Sequence, residues 1–220
     1  MSDLIVRNTK TSRFLQCRRL YELREDGWRP RDHDENLVIG SAVHAGLAHW
    51  RVTGQREEAF VKAFHEIPED MDQDTTDSVF LILTEYFEKY ADDIVVYIAT
   101  ETTFFVDLIP GVRFRVQTDG LIEKDGKIWI QETKTVGTEP GTFWKRYEMD
   151  RQSTGFLWGT RKHFEMPIHG VLVDAIFKPN NKNPITKFDR RYITPSEALV
   201  STWLSDMAGI AREIVRAREE

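Results

Sequence analysis

Three side chains suited to hydrolytic chemistry lie in one stretch, Arg113 to Thr135, which reads RFRVQTDGLIEKDGKIWIQETKT. Asp119 and Glu132 are hard oxygen donors for a divalent cation, and Lys134 is an ammonium suited to a phosphate or a water. Two strand-like runs flank Asp125-Gly126, a dipeptide that fits a two-residue type I′ hairpin because both central residues need positive φ. With that loop Lys124 faces Lys127, and counting outward along both strands brings Asp119 opposite Glu132. Facing residues have Cβ atoms about 4.5–5.5 Å apart on one face, so two carboxylates are forced together. The least strained compensation is a divalent cation held by both. Lys134, two residues beyond Glu132, shares that face.

A solvent-facing, salt-bridged strand pair is the commoner fate of Asp, Glu and Lys on a hairpin. The flanks argue otherwise. Ile128 and Ile130 share the face of Glu132, so the carboxylate emerges from an apolar row, where an unpaired ion is costly.

The elements that position this hairpin are readable around it. A helix opened by Thr11 or Ser12 carries Phe14, Leu15, Cys17, Leu20 and Tyr21 at helical spacing, and a second carries Leu37, Val38, Val43, His44, Leu47 and Trp50. Two amphipathic helices follow between residues 55 and 91, separated by Pro68 and an acidic run. From Ile94 to Trp129 the period becomes two, the mark of a sheet. Residues 136–142 read as a loop, Asp150 to Phe164 as a helix, and His169 to Lys178 as a strand. Pro179 to Pro184 is a turn and Lys187 to Ile193 its returning strand. Thr194 with Glu197 forms a capping-box pattern with Pro195 at the first helical position, ahead of a long last helix. The expected fold is α/β, a central mixed β-sheet flanked by helices. It forms one domain over residues 1–220: a helical part at 1–92, the sheet and a glutamine-bearing helix at 93–193, and the last helix at 194–220.

Composition bounds the rest. The chain has 220 residues, 40% hydrophobic and 30% charged, with 30 Lys and Arg against 36 Asp and Glu for a net charge of −6. That is ordinary for one folded domain and excludes disorder. A single cysteine, Cys17, excludes an internal disulfide and a four-cysteine zinc or iron–sulfur site. No stretch approaches the ~20 apolar residues of a membrane span, and the N-terminus lacks a signal core, so a cytoplasmic protein is expected.

Taken in order, SRFLQCRRLYEL, Gly40 to His44, Glu101, Gly111 to Asp119, Gln131 to Thr135, Asp150 to Trp158 and Phe177-Lys178-Pro179 form a series of motifs. The sequence resembles the RecB-like branch of the PD-(D/E)xK nuclease superfamily, in particular phage-type exonucleases related to the CRISPR-associated RecB-like exonucleases. The resemblance implies a restriction-endonuclease-like core. Phe156 stands where the family often has Tyr, and Glu132 where the branch often has Asp. The cysteines of iron–sulfur members are missing, so no iron–sulfur cluster is expected.

By that resemblance His44, Asp119, Glu132 and the backbone carbonyl of Thr133 hold Mg²⁺ or Mn²⁺. Lys134 acts on the attacking water and the phosphate, and Gln152 steadies the lysine or the water. A lone helical histidine ordinarily packs; His44 is singled out by the accompanying Gly40 and hairpin motifs, whereas His49 is read as packing. Arg18, Arg19, Trp144, Lys145, Arg146 and Tyr147 are the expected DNA contacts, cations for phosphates and flat rings for bases. Arg113 and Arg115 either neutralise the carboxylates or touch phosphate. The expected activity is metal-dependent hydrolysis of DNA from its ends in phage recombination or DNA processing in a bacterial host, with a single-strand annealing protein as a companion. The alternatives are a structure-specific or nicking endonuclease and a DNA-end-binding module without turnover.

Overall fold

The computed structural model describes residues 4–31, 33–93, 95–147, 151–178 and 186–219. The turn expected at Pro179 to Pro184 and the helix start at Asp150 lie outside them. Among the described residues there are six strands and eight helices: β1 (Leu4–Val6), α1 (Asn8–Gln16), α2 (Arg18–Glu25), α3 (Glu35–Thr53), α4 (Arg56–Phe64), α5 (Gln73–Lys89), β2 (Val96–Ile109) and β3 (Val112–Lys124) come first. Then follow β4 (Lys127–Val136), α6 (Pro140–Tyr147), α7 (Arg151–Phe164), β5 (Ile168–Phe177), β6 (Lys187–Ile193) and α8 (Glu197–Glu219). The strands form one mixed sheet in the order β1-β3-β4-β5-β6, with β2 also paired to β3. The β1–β3 and β4–β5 pairs are parallel and the others antiparallel.

Strand β5 shows why the sheet is covered on both sides. Val171, Val173, Ala175 and Phe177 pack into a core shared with α1, α7 and α8, while Ile176 packs into a second core made by α3, α4 and α5. A strand buried on both faces reads as a continuous apolar run, as GVLVDAIF does. One residue breaks that run, Asp174, only 1% exposed.

The hairpin has the expected register: Lys124 pairs with Lys127, and the pairs continue to Gly120 with Gln131. Asp125 and Gly126 take φ of 54° and 70°. The ladder ends there, and Asp119 and Glu132 are the next residues out.

Four expectations are corrected. The first helix begins at Asn8 and breaks at Cys17, which is extended at φ −162° and whose Sγ accepts the Leu20 N–H, so α1 and α2 are separate. The N-terminal part is not wholly helical, because β1 joins the sheet beside β3. Helix α8 is capped by Ser196, whose Oγ accepts the Leu199 N–H at 3.2 Å, in place of the Thr194 and Glu197 box. Residues 140–147, read as loop and aromatic stretch, form α6, which turns Trp144 and Tyr147 inward.

Helix α7 must lie close against β3, and Gly159 permits it: a Cβ there would come within 2.4 Å of Val116 Cγ2. Val116 is fully buried and stiff at χ1, so it has little room to yield. Gly159→Ala should therefore lower stability by about 1–3 kcal/mol in thermal or denaturant unfolding. Gly137→Ala, which meets nothing within 4 Å, should stay near wild type.

Candidate active site

Strand β4 presents alternate residues to two helical layers. Glu132 and Lys134 face α7: Lys134 Nζ pairs with Glu132 Oε1 and donates to Gln152 Oε1 at 3.1 Å, and Gln152 Nε2 donates to Glu132 Oε1 at 3.2 Å. The three side chains form a closed triangle across the strand and the helix. Glu132 is 3% exposed at the end of the row through Ile130, which is fully buried.

Asp119 is held from two sides. Its Oδ2 accepts the Thr133 N–H at 2.6 Å, and its Oδ1 lies 3.4 Å from His44 Nδ1 on α3. The carboxylate thus takes a backbone donor from the neighbouring strand at the point where the β3–β4 ladder stops. Facing Asp119 on its other side is Glu101, between the Thr100–Gly120 and Thr102–Thr118 pairs of β2 and β3. Glu101 has φ +46°, a strained conformation for a non-glycine residue.

The charges are strongly perturbed. Burial pushes Glu132 up to about 7, with Asp119 adding to the rise and Lys134 opposing it. For Asp119 burial also works against ionisation, but His44, Arg51 and the Thr133 N–H outweigh it and hold the carboxyl well below its usual range. Burial would lower His44, yet Asp119 and then Glu132 lift it above the ordinary imidazole value. Glu101 is raised by burial and by Asp119.

Two hollows meet at His44, Gln117 and Asp119. One, about 260 Å³, is lined by Glu132, Gln152 and Phe156 together with Arg7 and Arg115. The other, about 640 Å³, is lined by Gly40, Glu66, Glu101 and Thr135. The cleft therefore passes Asp119 on both sides, cationic at one end and acidic at the other. Arg7 is lowered by burial and by the facing Arg115. Two cations brought together beside a cleft suit a phosphate between them.

In donor chemistry the set fits a hard divalent cation, since two carboxylates and an imidazole open onto one cavity. Here Glu132 is engaged by Lys134 and Gln152. Among the described residues no three His, Cys, Asp or Glu side chains stand close enough to share one ion.

The structure brings His44, Asp119, Glu132, Thr133, Lys134 and Gln152 together, but not the expected DNA contacts. Trp144 and Tyr147 are 2% and 4% exposed, packed around Phe143, so neither offers a face to a base. They pack inward because α6 lies against the core that holds Phe177 of β5, and Trp144 Nε1 donates to Asp189 Oδ2 at 2.7 Å. Arg18 and Arg19 lie away from the cleft, paired with Glu213 at 3.7 Å and Glu22 at 3.1 Å. Lys145 and Arg146 are exposed on α6, and neither lines the two hollows. Of the two strand arginines, Arg115 lines the cleft, whereas Arg113 sits over Phe105 beside Asp107. The sequence reading missed Arg7, Arg51 and Asp174. A lone Asp in an apolar strand and an Arg two turns from His44 on a buried helix face were the available signals.

Without metal, Asp119→Asn should drop the His44 pKa, because burial remains while the attraction that outweighs it is lost. An NMR pH titration in EDTA checks this: wild-type His44 should titrate above the ordinary value of about 6.5 and the variant below it.

Comparison with known proteins gives the family and the fold. The model of the PD-(D/E)XK nuclease superfamily matches residues 8–219. A crystal structure from Eubacterium rectale, of a protein assigned provisionally as an exonuclease, superposes with a TM-score of 0.63 at 12% identity. It covers 97% of this chain and 80% of that one, a likeness of fold. The crystal structure of SSO0001 aligns at 14% identity over 90% of this chain and 81% of that one, with a TM-score of 0.34. No curated protein matches the sequence significantly. With nearly its whole length matched, the chain belongs to the PD-(D/E)XK nuclease superfamily.

Proposed function

We propose that the chain is a divalent-metal-dependent deoxyribonuclease that hydrolyses phosphodiester bonds from DNA ends. The observation that carries the reading is the convergence of Asp119, Glu132, Gln152 and His44 on one cavity, with Lys134 held against Glu132. His44, Asp119, Glu132 and the Thr133 carbonyl would hold Mg²⁺ or Mn²⁺. When bound, such an ion screens the phosphate oxygens and lowers the pKa of a water. Lys134, steadied by Gln152, orients the attacking water and offers positive charge to the phosphate. Water adds to phosphorus and the bond to the leaving oxygen breaks, giving a phosphate monoester and a hydroxyl. Arg7 and Arg115 bind the backbone phosphate at the cationic end of the cleft.

Action from ends rests on the likeness to phage-type exonucleases, and the neighbour's provisional assignment points the same way. A role in phage DNA processing beside a single-strand annealing protein belongs to the same reading. Among the described residues no helix is long and apolar enough to cross a membrane. The passage of the cleft on both sides of Asp119 favours a second reading, a nicking or structure-specific endonuclease, because a continuous strand could lie through it.

End-labelled linear DNA and a covalently closed circle, each with Mg²⁺, Mn²⁺ or EDTA, separate the two. Metal-dependent loss of the linear substrates with an intact circle is expected; cutting of the circle would put the endonuclease first. Lys134→Ala should cost about a hundredfold or more in cleavage while DNA binding persists. Asp119→Ala and Glu132→Ala should each weaken Mn²⁺ binding by calorimetry; unchanged affinity in both would remove the metal centre from the hairpin. Arg115→Ala should weaken DNA binding across sequences and reduce its salt slope by about 1.

A further inference from the structure

Behind the catalytic strand, away from the cleft, lies a buried ionic cluster. Asp174 on β5, paired in register with Thr133, accepts from Tyr86 Oη at 2.9 Å, Gln131 Nε2 at 3.0 Å and Arg190 Nη2 at 2.9 Å, with Arg190 Nε on its other oxygen. Arg190 also pairs with Asp93, which holds Lys124 at the hairpin turn. Asp174 is thus compensated without further help.

Arg51 is the cation this cluster does not need. It lies on α3 two turns beyond His44, its side chain 1% exposed, and it stands 3.9 Å from Asp174 Oδ2. Its Nη2 donates to Thr133 Oγ1 at 2.6 Å and, more loosely, to Tyr86 Oη at 3.5 Å, while Nε and Nη1 are buried with no partner among the described residues. A buried guanidinium with two unmade donor positions costs stability. The one short bond it makes is to the residue whose N–H holds Asp119.

We propose that Arg51 is a positioning residue for the metal centre: it fixes Thr133 from behind the sheet, and Thr133 in turn fixes Asp119. The assignment rests on the metal-centre reading above. It gives α3 two tasks on one face, His44 at the carboxylate and Arg51 at the strand that orients it. A hydrogen bond one step removed from a ligand commonly governs metal affinity.

The test compares Arg51→Met, which is apolar and of similar length, with Arg51→Lys, which keeps a cation able to donate to Thr133. Arg51→Met should melt at or above the wild-type temperature, since the cluster keeps Arg190. It should bind Mn²⁺ about ten- to a hundredfold more weakly in calorimetry, with unchanged DNA affinity in EDTA. Its Thr133 amide should exchange faster with deuterium, because the donor to Asp119 is no longer held. Arg51→Lys should fall between the two in both readouts. Wild-type Mn²⁺ affinity and Thr133 protection in Arg51→Met would overturn the proposal. So would an unfolded Arg51→Met protein, which would show a role in stability, or an Arg51→Lys protein no better than Arg51→Met. If the wild type itself bound no Mn²⁺, the metal-centre reading would fail, and Thr133 exchange would still decide the part played by Arg51.

Discussion

Two carboxylates held close together in a largely water-excluded place are the constraint on which the site depends. The hairpin turn sets a register that brings Asp119 beside Glu132, and the apolar row through Ile130 buries the second of them. Each would repel the other at a cost that falls only if protons, cations or donors are supplied. The fold supplies cations and donors, His44 and the Thr133 N–H at Asp119 and Lys134 and Gln152 at Glu132, while burial raises the pKa of Glu132. In the proposed function a divalent cation would be the compensation that also yields chemistry, because the charge that quiets the carboxylates would also act on a phosphate and a water.

The surrounding elements are arranged around that need. Helix α7 approaches β3 closely through Gly159 and so delivers Gln152 to the lysine; α3 crosses the other face and delivers His44. The helical layer is bonded into strands β4 and β5 as well as packed on them. Tyr86 from α5 and Arg51 from α3 both end on polar groups of β4 and β5 that are buried between the layers. The N-terminus joins through β1, which brings Arg7 to the cleft.

Local rules made much of this legible. The Asp125-Gly126 turn gave the register, alternation placed Lys134 with Glu132, and helical spacing found α3, α5 and α8. What escaped depended on tertiary contact. Trp144 and Tyr147, beside Lys145 and Arg146, look in sequence like a basic aromatic patch; only the packing of α6 onto the sheet decides that the rings turn inward while the cations stay out. Arg18 and Arg19 were misplaced because the break at Cys17 carries α2 away from the cleft. Arg7 was missed because β1 has only three residues, too few to show a period. Asp174 and Arg51 were missed because each is a single polar residue in an apolar element, and its partners come from distant parts of the chain.

The most direct measurement of the central claim is anomalous diffraction from crystals soaked in Mn²⁺. One Mn²⁺ peak with carboxylate oxygens of both Asp119 and Glu132 within about 2.0–2.6 Å, the span of hard-cation oxygen contacts, is the predicted result. A protein that cleaves DNA in the soak buffer but carries its Mn²⁺ elsewhere, or on only one of the two carboxylates, would contradict it.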